Sequence, residues 1–116
     1  MKPEEKDLLL KDLCARLPYG VKANSRDGKK TITITPIGIA NFMSGAIYII
    51  KPYLRPLSSM TEEEKVKLSL SQIYAFAHYN EIAKIDWLNA HHFDYRGLID
   101  KGLAIEVTEE NNPYKD

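Results

Sequence analysis

Two adjacent histidines, His91 and His92, stand close to Asp86 and Asp94, with His78 upstream of them. Imidazole and carboxylate are the donor set of many zinc and acid–base sites. Their spacing argues against a metal. Neighbouring residues on a helix point about 100° apart, so His91 and His92 cannot easily hold one ion. The chain also has no HExxH, no paired CxxC and no histidine pair spaced for zinc. Tyr95 and His91 are acid–base candidates beside Asp94 and Arg96. Asp94, however, suits a helix cap, and no serine or cysteine has a neighbourhood that suggests an activated nucleophile. The six glycines sit at turns and stops and form no phosphate loop. No metal, cofactor or catalytic residue is assigned, and the reading leans away from an enzyme.

Binding is the stronger expectation. Tyr53, Arg55, Trp87, His91, Tyr95 and Arg96 form the candidate site, and aromatic and arginine side chains of this kind dominate interface hot spots. Pro52 and Pro56 stiffen the KPYLRP segment, which lowers the ordering cost of displaying Tyr53 and Arg55. The turn after Phe93 fixes Tyr95 and Arg96. The competing reading places Tyr53 and Tyr95 in the core and makes the arginines intramolecular braces.

The elements that must position these residues follow from periodicity. Pro3, Glu4 and Glu5 suit a helix start, and Leu9, Leu10, Leu13, Cys14 and Leu17 then recur at helical spacing to residue 17. Lys11, Asp12, Ala15 and Arg16 lie off that stripe, and Cys14 reads as a small core residue. From residue 21 to 51 the period becomes two. A hairpin across Asp27-Gly28 joins residues 21–24 to 31–35, and residues 37–42 and 46–51 make a second strand pair, with Pro36 at an edge or bulge. Residues 52–60 are an extended proline segment. Thr61 and Glu64 form a capping box that opens a helical region over 62–101. Its first helix buries Val66, Leu70, Ile73, Tyr74 and Ala77, and a break near residues 78–80 makes Asn80 the next cap. The next helix has Ile82, Ile85, Leu88, Asn89, His92 and Phe93 on one face, with Trp87 and His91 on the other. Asp94 caps a short helix over 95–101, which Gly102 stops. Residues 103–108 form a closing strand, and the tail 109–116 is loose. The fold class is α+β, a small antiparallel β-meander packed with an N-terminal helix and a C-terminal helical segment that ends in a strand. The 116 residues form a single domain.

Composition narrows the partners. Sixteen basic and sixteen acidic side chains cancel, unlike a surface built for nucleic acid or anionic lipid. The single cysteine points to a reducing compartment. The acidic N-terminus and the lack of an apolar run of roughly 20 residues make the expected location cytoplasmic, without a membrane.

The runs DLCARLPYGVK, KPYLRPLSSMTEEE and DWLNAHHFDYRGLIDKGLA resemble a family of small proteins encoded in gut Bacteroidetes genomes, often in prophages and other mobile elements. The resemblance carries no reaction, cofactor or catalytic residue with it. It implies a bacterial or phage accessory protein working in the cytoplasm. The expected partner is a host protein, such as a component of a defence system. Two alternatives stand beside it. One is nucleic-acid binding through Lys22, Arg26, Lys29 and Lys30 and a helix–turn–helix–strand over 80–107. The other is a nucleotide held between the sheet and Arg96. The oligomeric state is left open.

Overall fold

A computed structural model describes residues 2–24, 30–44, 51–74 and 80–115, without the side chains of 71–74 and 80. The order is α1 (Pro3–Arg16), β1 (Lys22–Asn24), β2 (Thr31–Thr33), α2 (Pro36–Met43), β3 (Tyr53–Pro56), α3 (Glu62–Tyr74), α4 (Asn80–Ala90), β4 (Phe93–Asp94) and β5 (Ile105–Glu106). The chain is α+β, as its periodicity predicts.

The sheet differs from the expected meander. β1 and β2 pair antiparallel, Ala23 opposite Ile32, but residues 37–42 are helical. The reason is local. Thr35 is extended, its Oγ1 accepts from the Gly38 N–H at 3.0 Å, and Pro36 occupies the first helical turn. Cap and proline together start a helix where alternation alone suggested a strand. Most of the other half of that expected pair, 46–51, lies outside the described residues, as does the Asp27-Gly28 turn.

The second sheet is parallel, with β3 between β4 and β5. Arg55 lies opposite Phe93, and Tyr53 opposite Ile105. The KPYLRP segment is therefore not a displayed arm but the central strand. Leu54 is fully buried, and the backbone groups of Pro52, Leu54 and Arg55 bond outward to Ile105, Val107 and His92. Parallel strands need long crossovers, supplied here by the α3–α4 helical region and by the turn that Asp94 organises. The closing strand is only Ile105–Glu106. Residues 98–102 are turns rather than a helix, because both carboxylate oxygens of Asp94 accept local N–H groups, from Leu98 and Ile99, at 3.0 Å each. Gly97 and Gly102 take left-handed φ of 75° and 73° within that turn.

Leu9, Leu13, Val21, Ala23, Ile34, Phe42, Leu54, Leu98 and Leu103 form the core. The buried face of α1 is rotated roughly 80° from its leucine stripe, at about 100° per residue. Asp12 and Arg16 lie fully inside with Leu9 and Leu13, whereas Cys14 is exposed. The rotation goes with the Asp12–Arg16 pair and the Arg16 bond to the Phe93 carbonyl, which offset part of the cost of burying charge, while Asp12 Oδ1 and Arg16 Nη1 stay without a hydrogen bond among the described residues. Of the apolar stripe expected inside α3, Val66 and Leu70 face water, 57% and 44% exposed, while the side chains of Ile73, Tyr74 and Ala77 lie outside the described residues. On α4, Ile82 is exposed, while Leu88, Asn89 and Phe93 of its expected face are buried. The break expected near residues 78–80 falls mostly outside the described residues, and α4 begins at Asn80. Among the described residues, no helix is long and apolar enough to cross a membrane.

Candidate functional site

Arg16 anchors the polar interior. Its Nε donates to Asp12 Oδ2 at 2.7 Å and its Nη2 to the Phe93 carbonyl at 2.6 Å, with both side chains fully buried. Arg96 Nε lies 3.2 Å from Asp12 Oδ1, but its N–H is not directed at the carboxylate, so neither atom makes a hydrogen bond. Asp12 is thus flanked by two guanidiniums, and Tyr95 lies between them, its ring centre 5.2 Å from Arg16 and 5.0 Å from Arg96. The Tyr95 hydroxyl donates to Asn89 Oδ1 at 2.9 Å. Of the expected contact residues, Tyr95 and Arg96 therefore brace α1 and α4 against the turn.

Arg55, Trp87 and His91 form a second group around Phe93. The Trp87 ring stacks on His91 at 4.0 Å, as their four-residue spacing predicts, and on Phe93 at 5.8 Å. The Arg55 guanidinium covers Phe93 at 4.1 Å and grips both Glu64 oxygens at 2.7 Å. Glu64 also completes the expected capping box with Thr61. The Arg55 hydrogen bonds hold the Glu64 carboxyl down to about 2, well below its ordinary value. Tyr53 is half-buried, and its carbonyl is taken by the chain's own tail.

That tail is pinned rather than loose. Tyr114 donates to the Tyr53 carbonyl at 2.6 Å and accepts from the Lys22 N–H at 3.0 Å. Its ring stacks on His92 at 3.6 Å. Burial pushes the Tyr114 hydroxyl up to about 12. Burial, then the nearby Arg16 charge, pushes His92 down to about 4. His92 closes α4 with a left-handed φ of 63°, a conformation costly for a residue with Cβ. Sequence reasoning missed Asp12, Arg16, Glu64 as an ion-pair partner, and Tyr114. The i,i+4 spacing of Asp12 and Arg16 was a signal for a pair, though not for its burial.

The arrangement brings no three His, Cys, Asp or Glu side chains together as metal ligands among the described residues. Two open grooves flank the sheet. One, of about 290 Å³, runs past Asp94, Tyr95, Gly97 and Glu106. The other, of about 530 Å³, runs past Arg55, Ser59, Glu109 and Lys115. Arg96 lines neither of these two grooves, and Arg55 is committed to Glu64. The nucleic-acid reading loses its recognition helix, since 98–102 are turns. Of its basic hairpin, Lys22 is half-buried with Nζ on Thr33, and Arg26 and Lys29 lie outside the described residues.

No protein-family model matches the chain, and no curated protein or solved structure matches it.

Proposed function

We propose that the chain is a non-catalytic protein-binding module that docks a partner through the outward face of α2. One observation carries the reading. This helix, PIGIANFM, has no charged side chain. Ile39 and Phe42 are buried on one side, while Ile37 is 74% and Met43 57% exposed on the other. The helix's polar side chain, Asn41, is also exposed, and apolar surface left outside beside it marks an interaction site. Ala40, also exposed, adds a small side chain to that face. In this reading Arg55, Tyr95 and Arg96 of the candidate site supply rigidity rather than contact, because they hold Glu64, Asn89 and Tyr95 within the chain. Rigid presentation lowers the entropy cost of binding.

The family resemblance suggests the setting, a bacterial or phage accessory protein acting in the cytoplasm on a host protein, such as a defence component. A pull-down from bacterial host lysate tests the reading. Native protein should capture a specific host protein, and Ile37→Glu with Met43→Glu should lose it while keeping the native melting temperature. Capture of the same protein by the folded variant, or no capture by native protein, sinks the proposal.

A further inference from the structure

The outward face of α3 has a pattern independent of the α2 reading. Val66 and Leu70, 57% and 44% exposed, begin a four–three spacing that the sequence continues at Ile73. That spacing is the seam of a coiled coil. Glu64 and Leu68 sit roughly 160–200° around the helix from Val66. Glu64 holds Arg55 and Leu68 is half-buried, so the body of the protein lies behind the seam. A second chain can therefore approach the seam with the two bodies on opposite sides.

The flanking charges select the occupant. With Val66 and Leu70 as seam residues, Glu62 and Lys67 fall on the two rims, five residues apart. This is the offset at which rim residues of parallel, in-register helices meet. Among the described residues they make exposed local pairs, Glu62 with Lys65 at 3.0 Å and Lys67 with Glu63 at 3.3 Å. Such pairs are weak and readily exchanged. A two-fold axis along the seam creates Glu62–Lys67 bridges in both directions at once, as a self-complementary interface requires. The formal net charge of zero lets two copies meet without mutual repulsion.

We infer that α3 is a self-association surface on which two copies of this chain pair in parallel through Val66 and Leu70, with reciprocal Glu62–Lys67 bridges. From position 66 to position 73 the seam spans only about two turns of α3, so the dimer is a weak one, populated at micromolar concentration and above.

Sedimentation equilibrium over a concentration series tests this. Native protein should show a monomer–dimer equilibrium. Leu70→Glu, and separately Val66→Lys, should weaken it at least tenfold with an unchanged circular dichroism spectrum. Lys67→Glu should weaken it about two- to fivefold, the size expected of two surface ion pairs, and adding Glu62→Lys should restore it. A monomer at every concentration overturns the inference, as does a dimer indifferent to both seam variants. Failure of the charge swap to restore association overturns the parallel register.

Discussion

Arg55 lies between Glu64 and Phe93, holding the carboxylate with two 2.7 Å hydrogen bonds while its guanidinium covers the ring at 4.1 Å. This one side chain joins β3 to the start of α3 and to the distant β4. Its charge is spent on the fold, which is why it is a poor candidate for gripping a partner.

Acid titration reads this bridge. The Glu64 carboxyl is held at about 2 in the folded chain against an ordinary 4.5. A lowered folded value means that the bridge contributes its full stability above pH 4.5 and loses it as pH falls from 4.5 toward 2. Glu64→Gln should flatten stability across that window and cost about 1–2 kcal/mol at pH 7, because the pair is partly open to solvent. Urea unfolding of both proteins at pH 3 and pH 7 measures it. A difference between them that does not shrink at pH 3 contradicts the bridge.

The buried pair predicts a larger effect. Asp12→Ala strands Arg16 and Arg96 without their carboxylate and should cost about 3–5 kcal/mol, as removing one partner of a buried ion pair does. Asp12→Leu combined with Arg16→Met should recover much of that loss. Leu13→Ala on the same face should cost about 2–5 kcal/mol. Chemical denaturation measures all three, and a small cost for Asp12→Ala would falsify the buried network.

Much of this fold was legible in the chain. The capping box at Thr61 and Glu64 and the Trp87–His91 stack follow from spacing within a few residues, where local geometry decides; Asp94 does take local N–H groups, but in a turn rather than at the start of the expected helix. The buried face of α1 was not legible. Leucine periodicity points the helix one way, and the pairing of Asp12 with Arg16 turns it another, through partners that arrive from residues 93 and 96. Thr35-Pro36 did carry a helix-start signal, but the alternating isoleucines and threonines before it outweighed it. Tyr114 closing on Lys22 and Tyr53 is a contact across most of the chain, which no local pattern encodes.

The tail clasp titrates at both ends of the pH scale. Tyr114 keeps its proton up to about 12 against an ordinary 10. A raised folded value means that its contribution is complete below pH 10 and is lost as pH rises from 10 to 12. His92, lowered to about 4 from 6.5, contributes fully above pH 6.5 and loses its contribution as pH falls toward 4. Histidine NMR should find its resonance titrating near 4. Tyr114→Phe should cost about 1–3 kcal/mol by leaving the Lys22 N–H and Tyr53 carbonyl unsatisfied, while His92, still covered by the ring, stays low. Urea unfolding that finds no cost contradicts the clasp.

Arg55→Ala together with Arg96→Ala separates bracing from contact. The double variant should melt well below the native protein, yet bind the same partner at a temperature where it stays folded. A variant of native stability that has lost its partner would return the contact role to these arginines.

The most direct test of the α2 reading places a photo-crosslinking amino acid at position 37 or 43 and, as controls, at the exposed positions 7 and 11 of α1. Crosslinking in host lysate should yield one partner adduct from 37 and 43 and none from the controls. An adduct from the controls alone, or from a probe at position 96 but not from 37 or 43, contradicts α2 as the docking face.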